Sequence, residues 1–190
     1  MFIRTDNLLL RPGWVDDAPA LTEAFAREDV VMTLAEAPWP YRVDDAVAYL
    51  GRDRTAREAD LLVFLRTPGT LRLIGGVSLA ERDAQGRQEV ELGYWIVPSH
   101  WGHGYATEAG RAAVEAARDS LRIDRLVSSH FINNPASGRV LSKLGFVTTG
   151  VAESRGCRAQ GVQLPCQSYA MALTPSMAVA ASRVRLYVRC

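Results

Sequence analysis

The sequence predicts an α+β (mixed α/β) domain, a mostly antiparallel sheet covered by helices, and three observations carry that expectation. Apolar runs of strand length, divided by Pro-Gly or polar turns, follow one another from Leu61 to Val97. Ala106, Ala109, Ala113 and Ala117 then recur at helical spacing directly after a glycine-rich loop. The 190 residues show no repeat, low-complexity segment or dividing linker, and that length suits one domain with one substantial core.

Leu8-Leu9-Leu10-Arg11-Pro12 reads as a short strand that Pro12 ends, and Asp16-Asp17 leads into a helix through Leu21, Ala24 and Phe25. Ala37-Pro38-Trp39-Pro40-Tyr41 holds too much proline for a helix and reads as an ordered loop. A second helix starts at Asp44-Asp45, where acids suit the positive end of the helix dipole, and runs through Val47 and Leu50. Strands are expected at 61–66, 71–79 and 90–97, an antiparallel meander with turns at Pro68-Gly69 and over 83–88. Pro98 ends it. Residues 105–120 form a helix with Arg111 and Glu115 four apart on its outer side. Beyond it lie a strand at 126–132, a helix at 135–144 closed by Gly145, and strands at 146–151 and 168–173.

The 22 basic and 21 acidic side chains nearly cancel, so no overall field gathers nucleic acid or anionic lipid. Charge interrupts Met1 to Asp6 before any apolar run forms, and no apolar stretch reaches membrane length. Neither a signal peptide nor a membrane span is expected, and the reading is cytoplasmic. Cys157, Cys166 and Cys190 are odd in number and far apart, which suits reduced thiols better than a disulfide framework or a zinc site.

The chemistry is expected where the third meander strand runs into Trp101-Gly102-His103-Gly104-Tyr105-Ala106 and a helix opens. Such a junction presents free backbone N–H groups at the positive end of the helix dipole, a fit for phosphate or pyrophosphate. Gly102 and Gly104 let the backbone come close because neither carries a Cβ. Alone, the pattern serves a plain strand-to-helix turn equally well. A dinucleotide fingerprint fits poorly, since its third glycine is missing and the preceding strands look like hairpins; a P-loop is excluded because no Gly-Lys-Ser/Thr is present.

The loop resembles the pyrophosphate segment of the GNAT superfamily of N-acetyltransferases, Gln/Arg-x-x-Gly-x-Gly/Ala. Gly104 and Ala106 match it, while Trp101 stands where Gln or Arg is usual. Glu91-Leu92-Gly93-Tyr94-Trp95-Ile96 before the loop and Ala106-Thr107-Glu108-Ala109 after it are similar too. So are Asn134-Pro135-Ala136-Ser137 and Lys143-Leu144-Gly145-Phe146 downstream, Leu8 to Pro12 at the start, and Ile74-Gly75-Gly76-Val77. The likeness runs from about Thr5 to Thr174, so the domain is read as 1–174 with a C-terminal extension at 175–190. The branch it resembles most is the Rim-type ribosomal-protein N-terminal acetyltransferases, a branch that also holds enzymes with other amine substrates.

The resemblance implies a twisted central sheet of about six to seven strands with helices on both faces and a V-shaped splay between 90–97 and 126–132. Acetyl-coenzyme A is then the co-substrate. Its pyrophosphate falls to the 101–107 loop (Trp101, Gly102, His103, Gly104, Tyr105, Ala106, Thr107), and its pantetheine arm to the backbones of Ile96 and Val97. One of those two N–H groups is implied to hold the tetrahedral oxyanion. Asn134 resembles the residue that bonds the pantetheine, although Asn before such a run is also an ordinary helix N-cap. Ser137 resembles the hydroxyl that protonates the departing thiolate.

An attacking amine must be neutral, so a carboxylate near the acceptor is expected to take its proton directly or through a water. Period-two alternation puts Glu91, Gly93 and Trp95 on one strand face, away from Val90, Leu92, Tyr94 and Ile96, which makes Glu91 the first candidate and Glu89, at the turn, the weaker one. A solvated strand carboxylate is the plain alternative. His100 and His103 lack a third ligand and read as loop residues, so no metal is expected; His130 is left unassigned.

The acceptor is read as an N-terminal α-amine of a peptide or protein. A small-molecule amine (antibiotic, polyamine or amino acid) and a non-catalytic coenzyme-binding module stay open as alternatives. Glu28, Asp29, Glu36, Asp44 and Asp45 outnumber Arg42 between 28 and 45, an acidic rim that would attract a cation. Val184, Leu186 and Val188 alternate with polar residues in the tail, which reads as either one more strand or a frayed end. Monomer and homodimer both remain open.

Overall fold

The computed structural model describes residues 1–84 and 86–174; the alternating stretch at 184–188 lies outside the described residues. Among the described residues one sheet of eight strands organises the chain: β1 (Ile3–Arg4), β2 (Leu8–Pro12), β3 (Ala59–Thr67), β4 (Thr70–Ala84), β5 (Arg87–Ile96), β6 (Arg125–Phe131), β7 (Val147–Cys157) and β8 (Val162–Ala172). Their order is β1-β2-β3-β4-β5-β6-β8-β7. Every pairing among these strands is antiparallel except β5 with β6, which the helix α4 (Tyr105–Asp119) connects. A parallel neighbour requires such a crossover, because a tight turn can only reverse the chain. The strand beyond the seven expected is β1, whose two residues are too short to show alternation.

The other helices are α1 (Ala18–Phe25), α2 (Glu28–Val31), α3 (Val43–Gly51) and α5 (Pro135–Leu144). Alternation along the strands sends side chains to both faces. Leu61 and Val63 join Leu8, Leu10, Leu79, Val90, Leu92 and Leu126 against the alanine stripe of α4 and Leu141 of α5. Leu62 and Phe64 turn the other way, into a second core with Leu21, Phe25, Val30, Val31 and Leu50. Small alanines let α4 lie close to the sheet, which explains why that helix carries so few large apolar residues.

Trp95 belongs to the second face and packs on Phe25, ring centroids 4.5 Å apart. Gly76 on the paired strand makes room for it: a Cβ there would fall 2.5 Å from the indole Nε1. Gly76→Ala is therefore expected to push the indole off Phe25 at a cost of about 1–3 kcal/mol. Chemical denaturation should show this as a lower midpoint with an unchanged slope.

The last hairpin is longer than expected. β7 and β8 continue past 151 and before 168, through Glu153↔Cys166 to Cys157↔Val162. A register shift between Thr148 and Ala152, with Gly156 and Pro165 inside the arms, removes the regular alternation that sequence reading relies on. The extension buries Cys157 and Cys166 beside Phe131, and both cysteines are free.

The sheet opens where β5 and β6 meet. They are paired only at Val90↔Leu126 and Glu91↔Val127, although β5 runs on to Ile96 and β6 to Phe131. Ser128 Oγ spans the start of the gap by donating to Leu92 C=O at 2.8 Å. Beyond that point the strands diverge, which is the expected V-shaped splay.

Candidate active site

The glycine-rich loop leaves β5 through one 3₁₀ turn at Pro98–His100 and enters α4 at Gly104, its N-cap. Gly102 and Gly104 have φ of 80° and 85°, left-handed values that a side chain resists. A Cβ on either would meet no protein atom within 4 Å, so backbone conformation and the open space above the loop call for glycine. Gly104 provides no side-chain cap, and the first N–H groups of α4 point into that space without an intrahelical acceptor.

Neighbouring side chains hold this loop from outside. Trp101, where the resemblance would place Gln or Arg, donates its indole N–H to Ile96 C=O at 2.6 Å and so pins the loop to the end of β5. His103 stacks on Tyr105 with centroids 5.6 Å apart, and its Nδ1 lies 2.8 Å from Trp101 O. Burial, with Arg72 and His103 nearby, holds the His100 imidazole below the ordinary histidine range. Glu108 turns away from the loop and ties α4 to the chain start through Thr5 Oγ1, Asn7 N–H and Asn7 Nδ2. Burial raises its pKa, but those hydrogen bonds outweigh it and hold the carboxyl below its usual range.

The direction of the β5 backbone groups follows from register. Val97 N–H donates to Ile74 C=O at 2.8 Å, so antiparallel alternation turns the N–H of Ile96 to the other edge, towards the gap. Of the two residues singled out from sequence, Ile96 thus turns its N–H to the gap, whereas that of Val97 is spent within the sheet.

α5 begins on the far wall. Asn134 is its N-cap and accepts from Ser137 N–H at 3.4 Å, so the capping use expected of this residue is present. Ser137 faces Tyr94: the phenol oxygen is 2.8 Å from both its Oγ and its carbonyl oxygen. Burial, set against the Ser137 hydrogen bond and reinforced by Tyr169, pushes the Tyr94 hydroxyl up to about 12. Sequence reading counted Tyr94 only among the core-facing residues. The available signal was the hydroxyl itself, since a tyrosine on a buried face needs a hydrogen-bond partner.

Glu91 lies on the opposite sheet face, in a cleft also lined by Glu36, Ser154, Arg155, Arg158 and Gln163. Arg155 grips it through both oxygens, at 2.6 and 2.8 Å, and Ser129 Oγ donates to it at 3.3 Å. Arg155 was missed in the sequence because it stands in the irregular arm of β7. Glu89, on the same face of β5, does not line this cleft. It pairs with Arg125 and Arg82, whose hydrogen bonds outweigh burial and hold its carboxyl below the usual range.

Of the acidic residues at 28–45, Glu36 lines the cleft, Asp29 pairs with Arg27, and Asp45 caps α3 by accepting from Arg42 N–H at 2.9 Å. Arg27 lies just outside the span counted, so the rim is less one-sided than the sequence suggests. His130 is held by Phe131 O at 2.8 Å and by Tyr169 Oη at 3.4 Å. Among the described residues no three His, Cys, Asp or Glu side chains gather to hold a metal, and no helix is long and apolar enough to cross a membrane.

Comparison with known proteins agrees with this arrangement. The uncharacterized N-acetyltransferase YoaA of Bacillus subtilis (strain 168) is 27% identical over 151 residues, 78% of this chain and 84% of that protein. The ribosomal-protein-serine acetyltransferase of Escherichia coli (strain K12) is 32% identical over 78 residues, 41% of this chain and 43% of that protein. The solved structure of RimL, described as a ribosomal L7/L12 alpha-N-protein acetyltransferase in complex with coenzyme A, superposes with a TM-score of 0.74 at 18% identity. That superposition covers 91% of this chain and 98% of RimL. Residues 7–147 match the acetyltransferase (GNAT) domain family, and with the splayed sheet and the uncapped glycine-rich helix start in place, the chain belongs to the GNAT family of acetyltransferases.

Proposed function

We propose that this enzyme transfers an acetyl group from acetyl-coenzyme A to a primary amine, by direct attack in a ternary complex, and that the amine is the N-terminal α-amine of a peptide or protein. The observation that carries the reading is the gap itself. It opens along β5 between Glu91, where the pairing with β6 ends beside the cleft, and the far end of the strand, which leads to the uncapped start of α4. The pyrophosphate takes the backbone N–H groups around Gly104 to Thr107, the arm runs along Ile96, and the Ile96 N–H meets the oxygen of the tetrahedral adduct. Ser137 gives a proton to the leaving thiolate. Glu91, oriented by Arg155, holds the amine or a water that takes its proton.

Proton chemistry supports the α-amine. At pH 7 roughly a tenth of an amine with pKa near 8 is neutral, against about 0.04% of a lysine amine, a gap of about 3 kcal/mol. A cleft whose Glu91 is already engaged by a guanidinium suits the acceptor that is easier to deprotonate. The ribosomal-protein-serine acetyltransferase relative accords with a protein acceptor.

The test offers peptides with free and blocked amino termini, lysine-bearing peptides, polyamines and aminoglycosides under identical conditions, with products read by mass spectrometry. Acetylation is expected on free peptide termini and absent from blocked ones. Fast turnover confined to the small molecules would overturn the peptide assignment in favour of a small-molecule amine.

A further inference from the structure

We infer that Tyr94 is a positioning residue for acyl transfer: its hydroxyl bridges the carbonyl and hydroxyl oxygens of Ser137 and steers the serine proton towards the departing thiolate. The inference rests on the role proposed above for Ser137.

Hydrogen-bond roles follow from which atoms carry protons. The Ser137 carbonyl can only accept, so Tyr94 donates to it at 2.8 Å. The second contact, from Tyr94 Oη to Ser137 Oγ, is also 2.8 Å and is then made by the serine donating to the phenol oxygen. Because the two distances are equal, Tyr94 O–H can turn from the carbonyl to Oγ by rotating about its own C–O bond, with no heavy atom moving. Asn134 accepts from the Ser137 N–H on the other side, so this residue is held at its amide, carbonyl and hydroxyl. Tyr94 is in turn fixed by packing on the core beneath α4.

The step balances without another reactant. As the tetrahedral adduct collapses, the C–S bond breaks and its electron pair leaves on sulfur. Ser137 Oγ–H passes its proton to that sulfur, and the proton that the acceptor nitrogen gave up to Glu91 or its water returns through solvent to Oγ, which restores the serine. Tyr94 keeps its proton throughout and donates a hydrogen bond to Oγ while negative charge builds there. Its burial agrees with this division of labour, since a phenol pushed to about 12 stays protonated at neutral pH.

A simple structural tie between β5 and α5 would use the same contacts, so the experiment must separate the two. Tyr94→Phe, Ser137→Ala and the double variant are compared by kcat, KM for acetyl-coenzyme A and melting temperature. The expected result is a kcat lowered about 10-fold in Tyr94→Phe, with KM changed less than about twofold and no further loss when the change is added to Ser137→Ala. If Tyr94→Phe keeps full kcat while Ser137→Ala is slow, or if the two losses multiply, the positioning role is overturned and Ser137 keeps its own. If Ser137→Ala turns over at the parent rate, the serine reading itself fails and the inference falls with it.

Discussion

Gly104→Asp is expected to abolish acetyl-coenzyme A binding while leaving the fold in place. The N-terminus of α4 carries about half a positive charge and several N–H groups without intrahelical partners, and Gly104 offers no side chain to satisfy them. Aspartate supplies what the site must lack. Its carboxylate would compete for those N–H groups as a cap does, and it would oppose the pyrophosphate with like charge. The left-handed φ of 85° adds about 1–2 kcal/mol of backbone strain, less for Asp than for most residues. Such a loss leaves a folded protein with affinity reduced at least about 100-fold, or about 2.7 kcal/mol. In the parent, coenzyme at 100 times its Kd should stabilise the fold by about 2.7 kcal/mol, a clear rise in melting temperature. The variant should show no rise. A folded variant that binds as tightly as the parent in calorimetry would remove the pyrophosphate from this loop.

The Glu91 cleft should respond in rate more than in affinity or stability. Glu91→Gln is expected to lower kcat about 10²-fold with coenzyme binding unchanged, the usual effect of removing a group that handles a proton. A carboxylate offers about four lone-pair positions. Arg155 takes one on each oxygen and Ser129 another on Oε1, which leaves Oε2 to meet the amine or its water. Arg155→Met should therefore also slow turnover, by freeing Glu91 to rotate out of line. The side chains of this pair retain 27% and 19% of their exposure, so solvent screening limits the stability loss to about 1 kcal/mol. Rates followed across pH that match the parent in both variants would take Glu91 and Arg155 out of the mechanism.

The sequence showed those parts of the site that depend on contiguous residues. Gly102 and Gly104 ahead of an alanine-striped helix announced both the left-handed turns and the helix start without a side-chain cap, because backbone conformation and helix polarity are local properties. Asn134 before Pro135 announced the N-cap of α5 for the same reason. Alternation along β5 separated Glu91 and Trp95 from Val90, Leu92 and Ile96; the latter three entered the core beneath α4, while Trp95 packs on Phe25 and Glu91 lines the cleft. Where alternation failed, reading failed: the arms of β7 and β8 beyond the register shift stayed invisible, and Arg155 with them.

The sequence by itself therefore determined the order of the longer elements, the mostly antiparallel sheet, the face on which each β5 side chain lies and the glycine-rich loop that opens α4. Only the tertiary structure decided which groups remain free to act. Val97 and Ile96 read alike in the chain, yet pairing with β4 spends one N–H and turns the other into the gap. Glu91 read as an unattached carboxylate until the folding back of β7 brought Arg155, 64 residues away, against both its oxygens. Tyr94 and Ser137, 43 residues apart, meet only because the strands part after Glu91 and leave α5 within reach of a phenol. Periodicity encodes which way a side chain points; the partner it finds there depends on loop closure and register across the sheet, which no local pattern carries.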